Sequence, residues 1–377
     1  MIKRGLKLAI LGASDFQNPL ILKAKEMGLE THVFAWQCGD IGEKTADYFH
    51  PISVAEKEEI AKVCQKEGIS AITTCGSDFA VITQNFVAEK LGLPSNPVST
   101  TLKCTNKFAM REALQAAGIP TPKHIKVTKE NQNSEEIKLA LANLPFPLIV
   151  KPTDRSGSRA IKKVENQKEL FSAIDTALQA SFSHEAIVEE MIEGPEYSCE
   201  SITYKGKHHT LTLTKKFTTG APNFIETGHL QPSDIKEEKI PKVISQIHTA
   251  LTALGIENSA SHAEFRLQPD GEVRIIEIGA RMGGDCIGSD LTELSTGQDY
   301  LRATIQVARG LPPDLTPTHQ PQKAKITFLL NKEDLKNFET KIKPDPAIHL
   351  IRWHLEPNLT QPVTDSSTRL GYYITVS

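Results

Sequence analysis

His262-Ala-Glu264-Phe-Arg266, then Asp270-Gly271, then Ile275-Ile-Glu277-Ile-Gly279-Ala-Arg281-Met-Gly283-Gly284 reads as two strands joined by a tight Asp-Gly turn. Alternation puts His262, Glu264 and Arg266 on one face of the first strand, and Glu277, Gly279 and Arg281 on one face of the second. A hairpin brings those faces together, so two carboxylates and a guanidinium meet on a rigid scaffold. Carboxylates that close repel unless a cation sits between them. Hard divalent ions such as Mg²⁺ accept carboxylate and phosphate oxygens together. Arg281 then stands where it can clamp a phosphate or a developing oxyanion. On its own the hairpin is also compatible with solvated acids.

Working outward, 377 residues are too many for one small core, and two or three domains are expected. With 39% hydrophobic and 24% charged residues the composition is that of a soluble globular protein, and a net charge of -3 does not suggest a nucleic-acid or membrane surface. Cys38, Cys64, Cys75, Cys104, Cys199 and Cys286 form no CxxC pair. That favours reduced thiols in a cytoplasmic setting over a disulfide framework or zinc site. The basic start Met1-Ile-Lys3-Arg4 precedes too short an apolar run for a signal peptide, and no run approaches a membrane span.

Residues 1–97 alternate strand and helix: strands at Leu6–Leu11, Thr31–Trp36 and Ala71–Thr74, helices at Asn18–Met27, Glu56–Glu67 and Ser77–Leu91. This predicts a parallel sheet covered by helices. The turn Gly12-Ala-Ser14 is not GxGxxG and predicts no dinucleotide site. A linking helix at Thr100–Ala117 lies between two proline joints, within 98–122. Residues 123–195 form a small mixed unit, with strands at Lys123–Val127, Leu148–Lys151 and Glu185–Glu190 and a further strand starting at Ala160. Lys151 ends a buried strand and is followed by Ser156-Gly157-Ser158. A fixed cation beside a small-residue loop suits a phosphate cradle, although a plain loop with an exposed lysine reads the same way. Residues 196–311 form a larger lobe. It pairs Tyr197–Tyr204 with His208–Thr218, carries an irregular loop over residues 219–232, and has helices at Ile240–Leu254 and Asp299–Arg309. Glu226 and His229 lie on that loop, whose length marks it as functional. Residues 312–377 are a strand-rich C-terminal segment.

In this order the pieces resemble the ATP-grasp superfamily of carboxylate–amine ligases, over nearly the whole chain. The carriers are Asn106-Lys107-Phe-Ala-Met-Arg111, Val150-Lys151-Pro152 with its Ser-Gly-Ser loop, Glu189 to Glu196, and the Glu264/Glu277/Arg281 hairpin. The resemblance implies an α/β ATP-grasp fold: an N-terminal parallel-sheet domain, a small ATP lid, a large α+β lobe with the metal site, and the C-terminal segment. It implies that Lys107 and Lys151 contact ATP phosphates and that Ser156, Gly157 and Ser158 cover them. Glu189, Glu190, Met191 and Ile192 would read adenine largely by backbone, and Glu196 would hold the ribose. Glu264 and Glu277 would bridge two Mg²⁺ ions, with Mn²⁺ able to substitute, and Arg281 would steady an acyl phosphate. Many members carry an asparagine metal ligand two residues after the second acid; here that position is Gly279.

Within the superfamily the chain looks most like the L-amino acid ligases. Phe224-Ile-Glu226-Thr-Gly228-His229 resembles the segment whose acid holds a substrate ammonium, and Arg281-Met-Gly283-Gly284 resembles an arginine followed by pocket-shaping glycines. Asp285 stands where a dipeptide-forming member has a bulky tryptophan, which changes the side chain accepted. The resemblance thus implies small-molecule carboxylate and amine substrates, no nucleic acid or membrane partner, and leaves a homodimer open. Two alternatives share the layout: a carboxylase of the purine-synthesis type that uses bicarbonate, and a non-catalytic ATP-binding sensor.

Overall fold

The computed structural model describes residues 6–221, 224–357 and 362–377. Pro222 and Asn223 of the expected loop, and the basic start through Arg4, lie outside the described residues.

The first unit is a four-stranded parallel sheet in the order β3-β2-β1-β4. Its strands are β1 (Lys7–Leu11), β2 (Glu30–Phe34), β3 (Tyr48–His50) and β4 (Ala71–Thr73), and its helices are α1 (Asn18–Glu26), α2 (Ile41–Thr45), α3 (Lys57–Glu67) and α4 (Asp78–Leu91). The apolar runs predict β1, β2 and β4; β3 and α2 were too short to carry a period. Ser77 caps α4 by accepting from Ala80 N, which leaves Asp78 on the first turn, facing out of the sheet's C-terminal end.

The single helix expected over Thr100–Ala117 is two, α5 (Val98–Thr105) and α6 (Lys107–Ala116). Asn106 is the reason. Its backbone is extended, and its side chain accepts from Ala109 N, so it ends one helix and caps the next. The break puts Lys107 at the first position of α6.

The small unit mixes strands and helices as expected; its sheet is all antiparallel, in the order β5-β8-β6-β7. Its strands are β5 (His124–Thr128), β6 (Leu148–Pro152), β7 (Lys162–Val164) and β8 (Glu185–Glu190), backed by α7 (Glu135–Ala142) and α8 (Gln167–Ala180). β7 starts two residues later than the expected Ala160, because Gly157, Ser158 and Ala160 all take positive φ and keep that stretch a loop.

The large sheet has eight strands, all antiparallel neighbours, in the order β13-β12-β9-β10-β11-β14-β16-β15. They are β9 (Glu196–Tyr204), β10 (Lys207–Thr218), β11 (Glu226–Gln231), β12 (Ser259–Leu267), β13 (Val273–Gly279), β14 (Ala324–Leu329), β15 (His349–Leu355) and β16 (Gly371–Val376). The C-terminal strands continue the large lobe's sheet. The loop expected over residues 219–232 is corrected: its second half is β11, between β10 and β14. Gly228 explains the disguise. A Cβ there would come within 2.6 Å of the Ile326 carbonyl oxygen on β14, so a residue that weakens strand patterning is what the close approach requires.

α9 (Ile240–Leu254) packs Val243, Ile247 and Leu251 against Phe265, Ile275 and Ile278 beneath β12 and β13. Farther on come a short π-helix at Ile287–Leu291, α10 (Thr292–Thr296) and α11 (Tyr300–Ala308). Through Tyr300, Leu301 and Ile305, α11 shares one core with Leu8 and Ile10 of β1 and with Ile202 and Ala260 of the large sheet. The N-terminal sheet is therefore fixed on the large lobe by common apolar packing, which gives the site a rigid back wall.

Candidate active site

One cleft, enclosing about 1070 Å³ of space open to solvent, lies where the small sheet faces the large one. Of the residues assigned by resemblance, Lys107, Lys151, Ser156, Gly157, Ser158, Glu189, Glu190, Met191, Ile192, Glu196, Glu226, Glu264, Glu277 and Arg281 all line it. His229, Gly283, Gly284 and Asp285 are not among its lining residues.

The two acids of the hairpin face each other as the alternation predicts: Glu264 pairs directly with Glu277 in the β12–β13 register. A bulge follows Glu264, so Arg266 pairs with Arg274, and the simple alternation ends there. Each acid is matched by a lysine. Lys216 Nζ of β10 donates to Glu264 Oε1 at 2.5 Å, and Lys107 Nζ donates to Glu277 Oε1 at 3.0 Å and to the Arg155 carbonyl at 2.7 Å. Lys216 is buried among three carboxylates, with Glu196 at 3.5 Å and Glu226 at 4.0 Å besides Glu264. Burial pulls its pKa down, and the three acids more than reverse that, so it stays charged.

Glu264 also accepts from His262 Nε2 at 3.0 Å, and His262 Nδ1 meets Glu200 Oε1 at 2.5 Å. Glu200 has no exposed surface, and its other oxygen accepts from Gly283 N at 3.0 Å. Burial lowers the imidazole's pKa, but the flanking carboxylates raise it to about 9, so His262 is an imidazolium between two acids at neutral pH. Gly283 is needed here, since a Cβ would lie 2.9 Å from His262 Nδ1.

On the lid side, Lys151 and Arg111 share Glu189. Arg111 Nε donates at 3.0 Å and Nη2 at 3.3 Å, and Lys151 forms an ion pair with Oε1. Burial opposes the carboxylate, but Arg111 and Lys151 hold its pKa down at about 2. Lys151 moves the other way. Its pKa is lowered by burial, with Arg111 and Lys107 adding to the effect, and Glu189 only partly offsets them. One carboxylate between two cations leaves a positive surplus, which an anion entering the cleft would relieve. Glu189 thus has its side chain committed to structure. The backbone beyond it is partly committed too: Glu190 N donates to Lys123 O at 3.0 Å and Met191 N to Pro147 O at 3.2 Å. Glu196 is held by Arg266 Nη2 at 3.1 Å.

The Ser-Gly-Ser loop reaches across the cleft, Ser158 Oγ donating to the Phe224 carbonyl at 3.2 Å. Beside it Phe182 of the small unit carries the Arg155 guanidinium 4.2 Å over its ring and meets Phe79 of α4 at 5.9 Å between centroids.

Behind the cleft, Asp285 and His229 form a separate cluster. Arg369 Nη2 donates to both Asp285 oxygens, at 2.7 and 2.8 Å, and holds that carboxylate well below the usual range against its burial. Asp285 therefore presents a neutralised pair where its position suggests a free acid. His229 is buried and edge-on to Phe328, with Nε2 3.6 Å from Asp285 Oδ2. Burial lowers its pKa and keeps it neutral. Glu226, on the same strand, points the other way into the cleft and accepts from Ser366 Oγ. Asp285 and Cys286 both have positive φ, a backbone strain placed next to the site.

Sequence reasoning gave no role to Lys216, Arg111, Glu200, Asp78 or Arg369. Arg111 follows Lys107 by one helical turn and so shares its face. Lys216 sits at a period of two from the buried Thr212 and Thr214. Asp78 and Arg369 arrive from distant elements and leave no local signal.

Glu264 and Glu277, facing each other on one wall, are hard oxygen donors that fit divalent cations. Among the described residues no group of three or more His, Cys, Asp or Glu is set to hold a metal ion, so these two would be the chain's own share of a divalent-cation shell. All six cysteines are unpaired, and no helix among the described residues is long and apolar enough to cross a membrane.

Residues 144–290 match the ATP-grasp domain family. Among curated relatives, the alanine–anticapsin ligase of Bacillus subtilis (strain 168) is 28% identical over 280 residues, covering 65% of this chain and 58% of the relative. The chain therefore spans little more than half the length of that relative. Among solved structures, the L-amino acid ligase from Bacillus licheniformis superposes with a TM-score of 0.81 at 22% identity, over 99% of this chain and 94% of that one. The phosphoribosylglycinamide synthetase from Anaerococcus prevotii gives 0.77 at 22% identity, with 99% and 94% covered. At that identity the likeness carries the fold.

Proposed function

The chain carries an ATP-grasp domain, and on that premise we propose that it is an ATP- and Mg²⁺-dependent ligase that joins a carboxylate to an amine, both amino acids, releasing ADP and phosphate. The observation that carries this reading is the convergence, in one cleft, of Lys107 and Lys151, the latter backed by the buried Arg111 through their shared Glu189, with the facing carboxylates Glu264 and Glu277 and with Arg281. Its similarity to an amino acid–joining ligase supports the substrate class.

In this reading Lys107 and Lys151 take the ATP phosphates, and the lysines now on Glu277 and Glu189 exchange a carboxylate for a phosphate partner. Glu264 and Glu277 would hold the divalent cations, two Mg²⁺ or Mn²⁺ in their place, which would supply charge neutralisation at the transferring phosphoryl group. A substrate carboxylate oxygen attacks the γ-phosphorus, the bond to ADP breaks, and an acyl phosphate results. The Ser156–Ser158 loop excludes water from it. Glu226 holds a substrate ammonium. The second amino acid's neutral amine attacks the acyl carbon, Arg281 stabilises the oxyanion, phosphate leaves, and the amine proton passes to solvent or to that phosphate.

The test is phosphate release from ATP and Mg²⁺ across single and paired amino acids, with bicarbonate as a separate arm. Release that requires two amino acids and yields a condensed product by mass supports the ligase. Release with bicarbonate alone moves the reading to a carboxylase, and ATP binding without turnover to a sensor. Glu277→Gln is expected to abolish ADP formation while leaving the circular dichroism spectrum unchanged; turnover at the wild-type rate would remove the metal assignment.

A further inference from the structure

Arg281 is not a free guanidinium. Its Nε donates to Asp78 Oδ1 at 2.9 Å and its Nη2 to Asp78 Oδ2 at 2.8 Å, while Nη1 donates to the Met282 carbonyl at 3.2 Å. Asp78 comes from the N-terminal sheet unit, 203 residues away in sequence. A glycine lets it in. A Cβ at Gly279 would lie 2.7 Å from Asp78 Oδ1 and 3.2 Å from Arg281 Nε and Cζ, inside the ion pair. The side chains of Asp78 and Arg281 are each 13% exposed, and both line the cleft.

We propose that Asp78 is the positioning residue of Arg281, and that Gly279 is without a side chain because the Asp78 carboxylate fills that space. The physical reason is preorganisation. A long, rotamer-rich side chain aimed at a developing charge must otherwise be immobilised at the moment of reaction. A side-on pair with a carboxylate fixes the guanidinium plane beforehand. Three of its five N–H groups are then engaged by Asp78 and Met282, and the remaining two stay available to an anion in the cleft. The proposal rests on the ligase reading for what that anion is, but not for the pair itself.

The test uses the full chain with Asp78→Asn, Asp78→Ala, Gly279→Asn and the double variant Asp78→Ala/Gly279→Asn, with two readouts. The first is steady-state ADP formation. Asp78→Asn and Gly279→Asn should each lower kcat by about 10- to 100-fold, the scale of a displaced positioning group, with KM for ATP within about 2-fold. The double variant should lose less than the product of the two single losses, because the closer of the two contacts that the asparagine crowds, the one to Asp78 Oδ1, is then gone. A kcat within about 2-fold of wild type in Asp78→Asn, or losses that multiply in the double variant, overturns the proposal. The second readout is independent of catalysis: hydrogen exchange of the Arg281 Nε–H, assigned by its loss in Arg281→Lys. It should be protected in the wild type and at least about 10-fold less so in Gly279→Asn. Equal exchange in the two overturns the pair even if no substrate is turned over; protected exchange without turnover removes the ligase reading and leaves the pair standing.

Discussion

Lys216 is a buried cation that three acids compete for, and its worth depends on what else is in the cleft. Removing one partner from a buried charge cluster is strongly unfavourable, on the order of 3–5 kcal/mol. Lys216→Gln should therefore lower the melting temperature of the metal-free protein, with Mg²⁺ restoring part of the loss as it takes over neutralisation of Glu264; a loss that Mg²⁺ leaves untouched would separate Lys216 from the metal acids. Glu189 gives a pH signature with a definite sign. Its carboxyl titrates near 2 in the fold against an ordinary value of 4.5, so its stabilisation is present above 4.5 and is lost as pH falls toward 2. Glu189→Gln should be less stable at neutral pH, and its unfolding free energy should fall less steeply than that of the wild type between pH 4.5 and 2. Parallel acid limbs in the two proteins would contradict the assignment.

At the scale of elements, the break at Asn106 is what aims Lys107. Asn106→Ala removes a side-chain cap worth about 1 kcal/mol and permits α5 to run on into α6. The expected result is weaker ATP binding, several-fold in Kd by titration, with no loss of helical signal; unchanged affinity would mean that tertiary packing alone holds the lysine. The same element shows where sequence reading stops. A period of 3.6 continues across residues 98–117, so nothing apolar announces two helices. Only the capping chemistry of one asparagine does. β11 was hidden for a different reason: Gly228 and the polar alternation of Glu226–Gln231 look like loop because the strand is covered by β14, more than ninety residues away in sequence. By contrast the β12–β13 hairpin was legible almost to the residue, since its partners are adjacent in the chain and its alternation is local. The cleft residues that were legible lie on such local motifs. Asp78 in the cleft, and Lys216 and Arg369 packed behind it, were not, because they are set by contacts between elements far apart in sequence, which no pattern within one window can encode.

At the scale of the molecule, the nucleotide wall and the wall behind Glu226 are built from different lengths of chain. Lys107, Lys151 and the loop after it belong to the linking helix and the small sheet, whereas Asp285 is neutralised by Arg369 and Glu226 is held by Ser366, both in the short turn before β16. Arg369→Ala should therefore leave a buried carboxylate unpaired, lower the melting temperature, and shift KM for the amino substrates while KM for ATP stays within about 2-fold. A matching change in both Michaelis constants would show that the two walls are not separable.

The continuation of the large sheet into β14, β16 and β15 gives that separation a meaning over longer times. On the ligase reading, because β11 takes its outer neighbour from β14, drift in that later stretch would redraw what the cleft admits while the residues proposed to hold ATP stay under their own constraint. A lineage built this way can explore new substrates without surrendering its chemistry, and the tail is where such divergence would first be written.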